Sequence, residues 1–271
     1  MEANPKVSVI IPTHNHALFL SKALDSVRNQ TYEDYEVILV DNGSTDQTKE
    51  LISKIKWEKL LYVYQDDTGS AAGPRNTGIR LAKGDYVAFL DSDDIWYKEK
   101  LNKVMDIFLK NPEIDLVCND EYCRKDGKIV SYLKCGPSEP DMYEKLFFNG
   151  NRLSGSATVV KKAPLLKASG FDENKKYVHV EDYELWLRLA KLGCKFYFLN
   201  EPLGEFVLHD RNLSYEITKQ MQNLRNVLIK HYFSYEKKMD PNYIYLFIKT
   251  YLKTYYSQLI RYKQGAKDRR N

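Results

Sequence analysis

Val7-Ser8-Val9-Ile10-Ile11-Pro12-Thr13-His14-Asn15 reads as a buried strand that runs straight into polar groups. Its apolar part is continuous and rich in β-branched residues. A strand with one wet face would alternate; this one does not, so both faces are covered, as in the parallel sheets of α/β proteins. The pattern repeats outward from there. Leu20, Ala23, Leu24 and Val27 recur at helical spacing. Glu36 to Val40 is a second strand, and Ser44-Thr45-Asp46 offers N-caps for a helix carrying Leu51, Ile52 and Ile55. Leu60 to Tyr64 is a third strand. A helix from Pro74 to Lys83 stops at Gly84, and Tyr86 to Leu90 is a fourth strand. This alternation predicts a parallel, right-handed, doubly wound α/β sheet flanked by helices.

Ligands of such sheets bind beyond the carboxyl ends of the strands. Thr13, His14 and Asn15 follow the first strand, and Asp41, Asn42 and Ser44 the second. Asp66, Asp67 and Gly69 follow the third, and Asp91, Ser92, Asp93 and Asp94 the fourth. One polar edge is thereby located. Farther on, Asp126-Gly127 between Tyr122 and Val130 predicts a hairpin turn. Ser156 to Val160 is a strand candidate. Glu181 to Leu192 is a helix with Leu185, Leu189 and Leu192 inward, ended by Gly193. From about Leu213 the chain reads as helical.

The 271 residues allow one α/β domain with a helical appendage. An apolar fraction of 43% and a charged fraction of 29% are ordinary for a globular protein. A net charge of +4 does not mark a nucleic-acid binder. Cys118, Cys123, Cys135 and Cys194 have neither disulfide-scaffold nor zinc spacing and read as reduced thiols. The first apolar run is too short for a signal peptide, and no stretch reaches the roughly 20 apolar residues of a membrane span. The expectation is a cytoplasmic protein.

Three carboxylates in four positions, Asp91, Asp93 and Asp94, repel one another and call for a cation. Oxygen ligands suit Mg²⁺ or Mn²⁺, which are often shared with substrate phosphates. A capped helix start is the plainer reading of an acidic cluster, and Asp94 suits that role. Asp41 can accept a hydrogen bond from a base or a ribose; a strand-end turn is the alternative. Gly69-Ser70-Ala71-Ala72-Gly73-Pro74-Arg75 leads small residues into a helix start, where anions are favoured, and Arg75 suits a diphosphate.

Taken together, Pro12-Thr13-His14-Asn15, Val40-Asp41-Asn42-Gly43-Ser44-Thr45-Asp46, Pro74-Arg75-Asn76-Thr77-Gly78, Asp91-Ser92-Asp93-Asp94-Ile95-Trp96 and Val180-Glu181-Asp182-Tyr183-Glu184-Leu185-Trp186 resemble, in order, the motif series of family 2 glycosyltransferases. The resemblance runs from residue 5 to about 210. It implies a GT-A fold, with a Rossmann-like, mostly parallel central sheet, and a catalytic domain over 1–212. Residues 1–95 would form its nucleotide-binding half and 96–212 its acceptor-side half, with 213–271 as a helical extension. It implies a nucleoside-diphosphate sugar donor, most often a UDP-sugar, and inversion at the anomeric carbon. Pro12, Thr13 and Asn15 would line the nucleotide pocket, Asp41 would hold the base, and Arg75 would sit by the nucleotide. Asp91 and Ser92 would meet the donor, and Asp93 would ligate Mn²⁺ or Mg²⁺. Glu181-Asp182 would supply the catalytic base, with Asp182 the better candidate; an acidic first helical turn is the plainer reading. His209 matches the family's late histidine, placed at the metal or the diphosphate. Val207 stands where that family often has arginine, which leaves Arg211 as a substitute.

The resemblance implies a glycan or lipid-linked sugar as acceptor. Residues 243–262 carry Ile244, Phe247, Ile248, Tyr251, Leu252, Tyr255, Leu259 and Tyr262 at helical spacing, with a basic tail beyond. This helix suits packing on the catalytic domain, a homodimer interface, or peripheral contact with an anionic membrane at its inner face. A catalytically silent nucleotide-sugar-binding subunit is the competing function, although every motif carboxylate is present. A sugar-phosphate nucleotidyltransferase would need a glycine-rich basic loop where Pro12-Thr13-His14-Asn15 stands.

Overall fold

The computed structural model describes residues 5–209, 217–234 and 239–253. The opening stretch is β1, Val7–Thr13, buried along its whole length. Helix α1 (Ala17–Arg28) covers it with Leu20, Ala23, Leu24 and Val27. Strand β2 (Tyr35–Asn42), helix α2 (Thr48–Ser53), strand β3 (Leu60–Gln65), helix α3 (Ala72–Leu81) and strand β4 (Tyr86–Phe89) follow. Gly78 lets α3 sit against β1: a Cβ there would lie 2.4 Å from Ile10 Cγ2. The order β3-β2-β1-β4 is parallel throughout.

Beyond β4 the sheet is mixed. Short β5 (Ile95–Trp96) and helix α4 (Lys100–Lys110) precede β6 (Leu116–Lys125) and β7 (Lys128–Leu133). Helix α5 (Met142–Asn149), strand β8 (Thr158–Lys161), helix α6 (Lys162–Lys167), helix α7 (Glu181–Lys191) and long β9 (Phe196–Leu208) complete the domain. β8 inserts antiparallel between β4 and β6, and β9 lies parallel to β6. Two reversals restore direction, so β6 and β9 point the same way as β1, β2 and β4. The predicted hairpin turn is present, with Asp126 at φ 49 and Gly127 at φ 76, both in the left-handed region that a tight two-residue turn requires. Gly193, at φ 82, ends α7 as expected.

Some expectations are corrected. Leu192 does not face inward: it is exposed, because α7 ends one residue earlier and turns it outward. The N-cap position of α2 belongs to Gln47, whose side chain makes no cap hydrogen bond; of Ser44-Thr45-Asp46 it is Asp46 that serves the helix start, its Oδ1 accepting from the Thr48 amide at 3.0 Å. Ser44 Oγ accepts from the Asn15 amide and Asp46 also from the Ala17 amide, tying the β2 loop to the β1 loop.

The C-terminal helices, α8 (Ile217–Phe233) and a helix over 241–253, rest on the domain. Glu184 of α7 is fully buried and accepts from Arg188 and, at 2.5 Å, from Lys230 of α8. Burial works to raise its pKa, but hydrogen bonds from His231, Arg188 and Lys230 outweigh it and hold the carboxyl at about 2. Phe247 stacks on Tyr232 at 4.1 Å and on Phe147 of α5 at 6.3 Å. The part of the expected amphipathic helix beyond residue 253, the basic tail and Arg211 lie outside the described residues. Among the described residues no helix is long and apolar enough to cross a membrane.

Candidate active site

The loop after β4 is the centre of the polar edge. Asp91 and Asp93 turn outward from it and Asp94 turns inward. Asp94 is not a helix cap. It is buried, accepting from Ser156 Oγ at 2.5 Å and from the Val207 amide at 2.9 Å. Ser156 Oγ also accepts from the Asp91 amide. One hydroxyl thus ties the acidic loop to the segment before β8, and Asp94 ties it to β9. Below them Lys100, fully buried, donates to Asn119 Oδ1 and to the Ser156 carbonyl, both at 2.8 Å. Burial pushes its ammonium down to about 8 against the pull of the nearby Glu121 carboxylate. This buried cation lies near the carboxylates of Glu121 and Asp94, which draw it toward the charged form.

Arg75 joins the two acidic motifs. It is 106 positions from Glu181, yet donates to Glu181 Oε1 at 2.9 Å and to Asp91 Oδ1 at 2.7 Å. The arginine expected at a diphosphate is therefore held by two carboxylates. Helix α3 presents it from a buried position, and Phe171 covers its guanidinium at 5.4 Å.

On the other side of the loop Asp93 Oδ2 lies 2.9 Å from His209 Nε2, just past the end of β9. Both side chains are largely buried, at 11% and 12% exposure. Burial and then the Asp91 carboxylate raise the Asp93 pKa, against the pull of His16 and His209. A carboxylate and an imidazole on one spot, with Asp91 adjacent, fit a hard divalent cation that takes its other ligands from phosphate oxygens and water. Among the described residues no group of three metal-binding side chains converges. His16 Nδ1 pairs with Ser92 Oγ at 2.9 Å, and His209 stacks on Phe19 at 4.1 Å. His16 and Phe19 carry no motif spacing and were not legible as site residues.

The expected nucleotide residues line the same edge. Asp41 is buried, accepting from the Ser44 amide and from Tyr62 Oη at 2.8 Å. Thr13 Oγ1 is buried with no hydrogen-bond partner among the described residues, beside Pro12 at the end of β1. Asn15 sits at φ 55, and its Oδ1 accepts from the Thr45 and Asp46 amides. Asn15 therefore holds the two loops together, and its Nδ2 lies 3.0 Å from His14 Nε2.

Glu181 and Asp182 open α7. Glu181 Oε1 accepts from Arg75 while its Oε2 is buried with no hydrogen-bond partner among the described residues, and Asp182 accepts from the Tyr183 amide at 2.7 Å and from Asn151 Nδ2 at 3.3 Å. Burial, then the Glu181 carboxylate, push Asp182 up to about 6 against the pull of Arg75. A base must be ionised to take a proton, so activity that depends on Asp182 is present above pH 6 and lost below it. In kcat/KM measured from pH 4.5 to 8 we expect an acid limb with an apparent pKa of about 6. A profile flat through that range would remove Asp182 from the role.

The family model described as Glycosyl transferase family 2 matches residues 8–165. Two Escherichia coli relatives bear the name UDP-Glc:alpha-D-GlcNAc-diphosphoundecaprenol beta-1,3-glucosyltransferase. WfgD is 34% identical over 188 residues, covering 68% of this chain and 70% of its own length. WfaP is 28% identical over 256 residues, covering 86% of this chain and 98% of its own. Among solved structures, the mannosyltransferase PcManGT from Pyrobaculum calidifontis, in complex with GDP-Man and Mn²⁺, superimposes with a TM-score of 0.65. It is 20% identical, over 98% of this chain and 80% of that one.

Proposed function

The chain belongs to glycosyl transferase family 2, and from that membership we propose an inverting, divalent-metal-dependent transferase that uses a UDP-sugar and a lipid-linked sugar acceptor. One observation carries the reading: Arg75 bridges Asp91 of the donor loop and Glu181 of the base helix, so both motifs serve one site. Residues 1–95 hold the nucleotide, 96–212 the acceptor side, and 213–271 form the extension. Asp41, Pro12 and Thr13 form the base and ribose pocket. Asp93 and His209 hold Mn²⁺ or Mg²⁺, with Asp91 and Ser92 against the donor. Glucose as the sugar and a diphospholipid-linked acceptor are supported by the names of the two Escherichia coli relatives.

The reaction is a single displacement. The acceptor hydroxyl oxygen bonds to the anomeric carbon as the bond to the diphosphate oxygen breaks, and the electron pair leaves with UDP. Asp182 takes the hydroxyl proton during attack. When bound, the divalent ion supplies counter-charge to the departing diphosphate. Arg75 fixes Asp91 and Glu181 in register and, through its charge, keeps Asp182 from rising further above 6.

Thermal melting with UDP-glucose tests this. With Mn²⁺ present, ligand at about 100 times its Kd should stabilise the fold by about 2.7 kcal/mol. Asp93→Ala should lose the Mn²⁺-dependent part of that shift. No shift with UDP-, GDP- or dTDP-sugars, with metal or without, would sink the proposal.

A further inference from the structure

Ten consecutive residues, from Lys125 to Lys134, are exposed, and they form the β6–β7 hairpin beyond the sheet. Within it Ile129, Val130, Tyr132 and Leu133 are 51%, 54%, 46% and 37% exposed. The ladder sets Tyr132 opposite Tyr122 and Ile129 opposite Arg124 on one face and Leu133 opposite Glu121 on the other, with Val130 left in a bulge between Ile129 and Ser131. Neither face covers a core. β7 pairs with β6, and its other edge is open among the described residues. Soluble proteins avoid apolar edge strands of this kind, and such patches mark contact surfaces.

Register fixes where the hairpin points. Val117 of β6 pairs with Val159 of β8, which pairs with Ala88 of β4, so Asp120 lies level with Asp91. Residues beyond Glu121 overhang the active edge. Lys125 pairs with Leu208, the residue before His209, so the turn begins beside the metal pair.

Charge selects the occupant. Lys125, Lys128 and Lys134 flank the apolar residues and Asp126 is the one acid among them, which leaves a net charge of +2 from Lys125 to Lys134. A second copy paired along the same edge would set +2 against +2. An anionic bilayer meets both features, with apolar side chains at the acyl boundary and lysines among the headgroups.

We propose that the β6–β7 hairpin is a membrane-docking element that sets the active edge against an anionic lipid surface. The idea rests on the lipid-linked acceptor reading for its purpose, but its test needs neither donor nor acceptor. Full-length protein is floated with vesicles of phosphatidylcholine alone or mixed with phosphatidylglycerol. Binding should require phosphatidylglycerol. Ile129→Ser/Val130→Ser and Lys128→Glu/Lys134→Glu should each weaken it at least about tenfold, with melting temperatures unchanged. A wild type that does not bind phosphatidylglycerol vesicles would overturn the proposal. So would variants that bind as well as wild type, which would place the contact elsewhere, for instance in the basic C-terminal tail. A solution dimer split by Val130→Ser, without vesicle binding, would assign the edge to a second copy instead. Failure of nucleotide-sugar binding, by contrast, would remove the proposed function and leave the vesicle result standing.

Discussion

Asp182→Asn should lower kcat by about a thousandfold while leaving donor binding and folding intact. The change keeps the shape of the side chain. Asparagine can still accept from the Tyr183 amide through its oxygen, so the first turn of α7 is not disturbed. It removes one negative charge from beside Glu181 and Asp91, which relieves repulsion. The amide has no useful basicity, so the acceptor hydroxyl must attack without a proton acceptor. The measurement is single-turnover transfer, with UDP binding and the melting curve as controls. Equal turnover by the variant would pass the base role to Glu181. Glu181 is the weaker candidate because its Oε1 is committed to Arg75.

Arg75→Leu should cost stability as well as activity. Its guanidinium joins Glu181, with 8% of the side chain exposed, to Asp91, with 35% exposed. Removing it leaves Glu181 charged and unpaired in a dry site, a defect worth about 3 kcal/mol or more. Asp91 is wetter and adds little. For a chain of this size that loss corresponds to a fall of roughly 6–12 °C in Tm. Differential scanning calorimetry gives the value. Adding Glu181→Leu should recover part of the loss, because the two carbons then meet where two charges met. If Arg75→Leu melted at the wild-type temperature, the bridge would not be a stabilising element, and its place in the site would need another account.

The first half of the fold was legible because β1, β2 and β4 are buried on both faces and read as unbroken apolar runs. In the second half single elements were legible, among them the Asp126-Gly127 turn, β8 and α7, but β9 and the strand order were not. β9 carries Pro202 and Gly204 within its strand, which break the pattern of a central strand. The β6–β9 ladder absorbs them by a register shift between Asn119 and Asp120, where Asp120 pairs with Pro202. The insertion of β8 between β4 and β6 is a long-range pairing that no local period reveals. The site divides in the same way. Asp91 and Asp93 stood out by spacing, and Glu181 and Asp182 through the family resemblance, but the bridge through Arg75 depends on tertiary structure. Asp94 looked like a cap because short-range acidic clusters usually are. Its partners, Ser156 and the Val207 amide, lie 62 and 113 positions away. The buried cation Lys100 was invisible for the reason that buried lysines are rare.

The central claim is that the edge formed by Asp91, Asp93, His209 and Asp182 transfers a sugar with inversion from a nucleotide donor. The most direct measurement incubates the full-length protein with UDP-glucose, Mn²⁺ and a short-chain GlcNAc-diphospholipid, and follows both UDP and the linkage of the product by NMR. The account predicts stoichiometric UDP and a β-linked glucoside, abolished by EDTA. An α-linked product, or transfer undiminished by EDTA, would contradict it.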